Sequence, residues 1–389
     1  MIDTKNNSIV FFEPVLLGLS HLTFTSSIIG IMSYIFPERD FIFYGSKEHI
    51  ELTQVEVDKL IGNSRLLKGI YLKNSINKAE KKWYFLKRIL FEYKSLVKIR
   101  KTNPEYLICL SESPAIVFFS HILFSKTKLI IFFHAGLSIY LKAAVDRKSI
   151  DYRKLYYFPL LMKSKNCVNI VLGESIKREA KLILPKAEFE SIDHPAQIKL
   201  TVPLQADFPL KIGTVGDALI SKGSHLFFVL EEKLQRYSEN INWYYIGKIV
   251  DKEIAIPQNT RIQIHGGNQR LPTEELNYLI SILHYGIFFY PSNSYRFGAS
   301  GAVLDLLTFL KPIIAIRNPY FEYLFGKMGN IGFLCDSLDE MTIAIEDIIG
   351  NNDIELYIQQ QNNIKNGLKY FSLDYLKNDM IKILDKLQT

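Results

Sequence analysis

The chain has 389 residues, 48% of them hydrophobic and 22% charged, with a formal net charge of +7. That length suits two domains, and the content of aromatic and branched side chains excludes a disordered chain. The basic excess is modest. With no Arg-rich helix, zinc spacing or GxxG platform beside it, it argues against nucleic acid and for phosphate-bearing ligands or an anionic membrane surface.

Cys109, Cys167 and Cys335 are far apart and form neither a disulfide framework nor a metal spacing, so buried thiols in a reducing, cytoplasmic compartment are expected. The opening MIDTKNNSIVFFEPVLLG has no signal-peptide pattern. Glu13 and His21 break the first apolar stretch, and Lys126 and Lys128 the next, so no membrane span of about 20 residues is expected.

In chain order, a strand is expected over 9–12, then a loop with Glu13, Gly18 and His21, a helix over 24–36 stopped by Pro37, and a strand over 41–44. This is the rhythm of a parallel sheet. Residues 76–101 place Trp83, Phe85, Leu86, Ile89, Leu90, Tyr93 and Val97 at helical spacing, with lysines and arginines between them. Such a helix either packs with a basic outer face or lies on an acidic membrane. Strands follow over 106–110, 128–133 (ending at His134) and 167–172, then a helix over 176–184. Ligands of such sheets bind beyond the carboxyl ends of the strands, which nominates Gly18, His21, His134 and Ser175. The proline-bearing stretch 185–210, with a short strand over 198–202, reads as a domain junction.

The rhythm restarts with strands over 210–214, 242–246, 261–265, 287–290 and 312–316. Helices are expected over 225–237, after Thr273 as cap, and over 300–310. Ser337 with Glu340 makes a capping box for 341–349. A last amphipathic helix follows Ser372.

The loop GTVGDALISKGSH offers Gly216 and Gly223 for close backbone approach to a phosphate and Lys222 for charge. It matches neither GxxxxGK[ST] nor GxGxxG, and a purely structural turn is the alternative. In YPSNSYRFGASGAVLDLL, Gly298, Ser300 and Gly301 place bare amides at a helix start suited to a diphosphate. Asp305 is a candidate for ribose or sugar hydroxyls, or else a plain helix-terminus residue. Arg270 and Arg296 are candidates for phosphate, or for solvent, and Glu322 is a further loop carboxylate. His134, His21 and Glu13 are the candidate catalytic groups, Glu13 as a general base. No pattern indicates a metal, and no cofactor is expected beyond a nucleotide-diphosphate sugar as substrate.

GTVGDALISKG, and the acid seven residues before Pro312, resemble motifs of the GT-B glycosyltransferases, in particular the retaining family 4 group. Gly216 or Asp217 stands near where that group has an arginine, and Phe297 stands at its first motif acid. The resemblance implies an α/β chain of GT-B architecture, with two Rossmann-like domains facing a central cleft. They would be an acceptor-side domain over 1–204 and a nucleotide-sugar domain over 205–370, with the helix of 371–389 crossing back to the first. It implies that Lys222 meets the donor diphosphate and Asp305 the ribose, that His134 lies near the transferred sugar, and that Gly18 belongs to the loop near the donor. It further implies sugar transfer to a glycan or lipid-linked acceptor in bacterial surface polysaccharide or glycoconjugate synthesis, at the inner face of the membrane. A non-catalytic partner subunit, suggested by Phe297, and a nucleotide-sugar epimerase are the alternatives.

Overall fold

The computed structural model describes residues 8–14, 18, 21–62, 67–73, 81–140, 152–162, 164–196, 198–199, 207–291 and 296–387, without the side chains of 81–83 and 152–153. The expected strand over 198–202, the start of the 76–101 helix and Ser292 lie wholly or partly outside them. The chain forms two compact units, one of residues 1–195 and 373–389, the other of 196–372.

Unit 1 is a parallel sheet. Its strands are β1 (Ser8–Glu13), β2 (Asp40–Gly45), β3 (Lys68–Tyr71), β4 (Tyr106–Cys109), β5 (Lys128–Phe133), β6 (Cys167–Val171) and the two-residue β7 (Glu190–Ser191). Among the described residues the order is β3-β2-β1-β4-β5-β6-β7. β1 and β4 are buried along their whole length, as strands covered on both faces must be. The helices are α1 (Leu22–Ile35), α2 (Lys47–Ile61), α3 (Lys81–Arg100), α4 (Pro114–Leu123) and α5 (Glu174–Ile183). Ser46 and Ser113 cap α2 and α4 by accepting from the amides of His49 and Ile116.

In α3 the apolar positions divide, with Phe85, Ile89 and Val97 half-buried. Leu86, Leu90 and Tyr93 are exposed, whereas Glu92, Ser95, Leu96 and Ile99 are buried. Glu92 is drawn inward by the guanidinium of Arg88 and the hydroxyl of Ser113.

Unit 2 repeats the plan with β8 (Leu210–Val215), β9 (Ile241–Lys248), β10 (Gln263–Gly267), β11 (Tyr285–Phe288), β12 (Ile313–Ile316) and β13 (Gly332–Cys335). All are parallel in the order β10-β9-β8-β11-β12-β13 among the described residues. Alternation divides the core: Tyr244, Ile246 and Ile313 pack on one side, and Trp243, Tyr245 and Ile314 on the other. The helices are α6 (Leu226–Lys233), α7 (Thr273–Ser281), α8 (Gly301–Thr308), α9 (Pro319–Met328), α10 (Leu338–Asn351) and α11 (Ile354–Gly367). Thr273 is the first residue of α7, not its cap, because Pro272 sets the turn. The capping box is shifted by one: Ser337 caps Glu340, while the Glu340 carboxylate accepts from the amide of Asp336. The last helix, α12 (Leu373–Asp385), belongs to unit 1 and packs on α1. No helix among the described residues is long and apolar enough to cross a membrane.

Candidate functional site

In unit 2 the candidates gather where β8, β9 and β10 end. Each strand finishes in a glycine of positive φ: Gly216 (107°), Gly247 (149°) and Gly266 (95°). The glycines let the backbones touch, because a Cβ on Gly247 would collide with the Gly216 carbonyl. The amide of Gly216 donates to Ile246 O at 2.9 Å, which ties the loop to β9.

The chain then makes a short 3-10 turn, Ile220–Lys222, closed by Gly223 at φ 70°. A Cβ on Gly223 would sit 2.7 Å from the Phe289 carbonyl oxygen. This tight seat aims Lys222 back over Gly216, its Nζ 4.0 Å from where a Gly216 Cβ would stand. Burial lowers the pKa of Lys222; the Asp217 carboxylate opposes that shift and Arg270 adds to it. Arg270 lies 3.4 Å from Asp217.

The N-terminus of α8 approaches the same spot, with Ala302 Cβ 3.3 Å from the Gly216 Cβ position. Gly301 has open space where a side chain would be. Lys222 and a helix N-terminus therefore flank one glycine, an arrangement suited to a diphosphate.

Other candidates have defined partners. Ser300 is the N-cap of α8; its hydroxyl accepts from the Val303 amide and meets Tyr290 Oη at 3.0 Å, so it orders the helix rather than facing solvent. Gly298 is buried just before it. Asp305 lies one turn further on, and Lys199 Nζ reaches its carboxylate at 3.3 Å. The Arg296 guanidinium lies over the Phe297 ring at 5.9 Å. Phe297 is 2% exposed, a core residue where the resemblance expects an acid. Glu322 is exposed in the first turn of α9, 3.7 Å from Arg317, which also binds Asp336.

In unit 1 the strand ends bring His21 and His134 together, with ring centroids 4.4 Å apart. His21 precedes α1 in a left-handed conformation, φ 55°. His134 Nε2 donates to Leu110 O at 2.8 Å, which fixes the tautomer. Phe24 packs edge-on against the ring at 4.6 Å. Burial first, then the charge of His21, holds the His134 pKa well below the usual histidine value. Glu13 ends β1 fully enclosed. The Gly18 carbonyl accepts from His49 Nδ1 at 2.8 Å, and Glu48 packs beside it.

Glu112 was not singled out by the sequence. It follows β4, and its carboxylate accepts from the amides of His134 (2.9 Å), Ala135 (3.1 Å) and Gly136. The strand-end position that nominates His134 applies equally to Glu112. Among the described residues, no group of three or more His, Cys, Asp or Glu side chains is placed to hold a metal ion.

Solved structures match the whole chain. A glycosyltransferase from Rickettsia africae is 17% identical with a TM-score of 0.62, covering 98% of each chain. Sucrose-phosphate synthase from Thermosynechococcus elongatus is 12% identical with a TM-score of 0.68, covering 98% of this chain and 99% of its own. Anabaena HepE in complex with UDP-glucose is 10% identical with a TM-score of 0.64, covering 97% and 99%.

The fold is GT-B. Two Rossmann-like domains with parallel sheets, as the sequence led one to expect, are what these likenesses share with this chain. No model of a known protein family matches the sequence, and no curated protein sequence matches it.

Proposed function

We propose that the chain is a glycosyltransferase of the retaining family 4 type, moving a sugar from a nucleoside-diphosphate donor to a glycan or lipid-linked glycan acceptor. The observation that carries this is the Lys222 amine held over Gly216 beside the N-terminus of α8. A fixed cation and a helix N-terminus stabilise charge that develops on a leaving diphosphate. Anabaena HepE, of the same fold, is a protein solved with UDP-glucose.

The test is calorimetric titration with UDP, GDP, CDP and ADP and their glucose, galactose and N-acetylglucosamine conjugates, for the native protein and Lys222→Ala. One nucleotide class is expected to bind. Loss of a charged hydrogen bond, about 1.5–3 kcal/mol, weakens binding roughly 10- to 100-fold. No binding by any nucleotide, or equal binding by the variant, overturns the reading.

The expected place is bacterial surface polysaccharide or glycoconjugate synthesis, at the inner face of the cell membrane. Support comes from α3, where exposed Leu86, Leu90 and Tyr93 lie among exposed Lys87, Lys94 and Lys98. Apolar side chains ringed by lysines suit an anionic bilayer. Co-sedimentation with phosphatidylglycerol vesicles, lost in Leu86→Glu/Leu90→Glu, checks it.

One observation favours a second reading, a partner subunit without turnover of its own: Phe297 fills the core where a motif acid is expected. Nucleotide binding without sugar release in the presence of any acceptor would select it.

A further inference from the structure

We infer that Glu112 is a positioning residue for His134: its carboxylate, seated against three consecutive main-chain amides, sets the direction in which the imidazole leaves the end of β5. This rests on the glycosyltransferase reading above, in which His134 is a candidate catalytic group.

β4 and β5 are parallel neighbours, so their carboxyl ends emerge side by side. Beyond its last ladder partner a strand leaves amides that must be satisfied by other groups. Glu112 does this for β5. Its Oε2 accepts from the amide of His134 at 2.9 Å, and its Oε1 accepts from the amides of Ala135 (3.1 Å) and Gly136. The tie also runs the other way, because the His134 ring donates from Nε2 to Leu110 O at 2.8 Å. Two residues of the β4 exit, Leu110 and Glu112, thus hold both the main chain and the ring of one histidine.

Both are themselves anchored. The Leu110 amide donates to Phe12 O of β1 at 3.0 Å, and Glu112 directly precedes Ser113, the N-cap of α4. The β5 exit is shaped to receive the carboxylate: a Cβ on Gly136 would collide with Glu112 and stand 2.8 Å from the Tyr157 oxygen.

Ordering a turn does not by itself require a charge, since Ser46 and Ser113 satisfy amides in the same unit with neutral hydroxyls. A carboxylate makes stronger bonds to amides than a hydroxyl does. Burial raises the Glu112 pKa, and the amides it binds pull it back down. A charge taken out of water is costly, and the turn it fixes is the one that carries His134. Misplacing a reacting group by about 1 Å can lower turnover roughly 100-fold, so holding the imidazole still has a kinetic consequence.

The test compares the full chain with Glu112→Gln and Glu112→Ala. Glutamine keeps the volume, but its NH2 end meets an amide donor instead of accepting from it. Alanine leaves the three amides open to a small carboxylate. Formate can reach them through the adjoining cavity of about 430 Å³, which Glu112, Ser113 and Gly136 line. In 15N NMR of the native chain the neutral His134 ring is expected as the Nε2–H tautomer. Both variants are expected to show exchange between tautomers, and sodium formate, unlike sodium chloride, is expected to restore the native pattern in Glu112→Ala. Sugar release from the nucleotide sugars of the panel is expected to fall roughly 10- to 100-fold in kcat in both variants, with KM unchanged, and formate is expected to recover it in Glu112→Ala alone. Nucleotide affinity, assigned above to unit 2, stays unchanged. The inference is overturned if the His134 ring keeps its native pattern in both variants, if formate restores neither ring nor turnover, or if KM rises while kcat holds. Should Glu112→Ala fail to fold, the ring pattern of Glu112→Gln decides. A native chain that releases no sugar overturns the glycosyltransferase reading, and the ring measurements still decide whether Glu112 positions His134.

Discussion

His21 and His134 face each other with ring centroids 4.4 Å apart, and His134 donates its Nε2 proton to Leu110 O. Protonating His134 would bury a positive charge in a poorly hydrated spot, and the neighbouring His21 opposes it further. The His134 pKa therefore lies well below the ordinary 6.5. The unfolded chain takes the proton first as pH falls, so this site's contribution to stability is complete above pH 6.5 and is lost below it. In an NMR titration the His134 ring is expected to stay neutral as pH passes 6.5. In His21→Ala the pKa should rise but remain depressed, because the Phe24 contact persists. A His134 titrating at the ordinary value would contradict the packing described.

Gly247 makes a second prediction. Its φ of 149° and its contact with the Gly216 carbonyl leave no room for a side chain. Gly247→Ala should cost roughly 2–5 kcal/mol through strain and overpacking, and should displace the loop that aims Lys222. Gly350, in α10 with open space around its Cβ position, is the control. Gly350→Ala should be neutral or stabilising by up to about 1 kcal/mol. Urea denaturation of both variants decides the matter, and equal midpoints would remove the steric argument.

Much of this was legible from the residues. Apolar strands ending in polar or glycine residues announce a covered parallel sheet, and the structure has two. α2, β3, α4, α9, β13 and α11 were not read out. α2 has only four buried residues, His49, Ile50, Thr53 and Val57, two of them polar, so its apolar stripe is faint. α3 was read as amphipathic, but spacing could not reveal that Glu92 and Ser95 share its buried face, where Arg88 and Ser113 pair with Glu92. Lys222 was visible as a lysine between loop glycines. Its neighbours Asp217 and Ala302 become visible only when parallel pairing sets β8 beside β9 and brings α8 close. The tie between Gly18 and His49 depends in the same way on the pairing of β1 with β2.

Lys311 gives a pH prediction for unit 2. It is completely buried, and Nζ donates to Ser281 O at 2.7 Å. Burial, with Lys211 nearby, lowers its pKa from 10.5 to about 7. Between these values the unfolded chain holds the proton and the folded chain does not, so stability rises with pH across that window. Below about 7 both states are protonated and the full penalty of the buried charge applies. Lys311→Met should therefore be more stable than the native chain at neutral pH and should lose the rise toward alkaline pH. Denaturation midpoints measured across the window check this, and a parallel slope in both proteins would show that Lys311 is not the titrating group.

The C-terminal helix carries the last prediction. α12 buries Leu376, Met380, Ile383 and Leu384 and packs on α1. Gly30 on α1 leaves room for it, with Leu373 Cδ1 3.9 Å from the position a Cβ would take. Lys386 adds an ion pair with Glu190. Each buried aliphatic side chain contributes about 1.5–3 kcal/mol, so the four together approach the whole margin of about 5–15 kcal/mol that holds a domain folded. A chain ending at Ser372 should lose amide-exchange protection in β1 and β4. It should retain protection in β8 and β11, whose core includes Phe371 but no residue of α12. Protection kept in both sheets would mean that α12 covers α1 without supporting it.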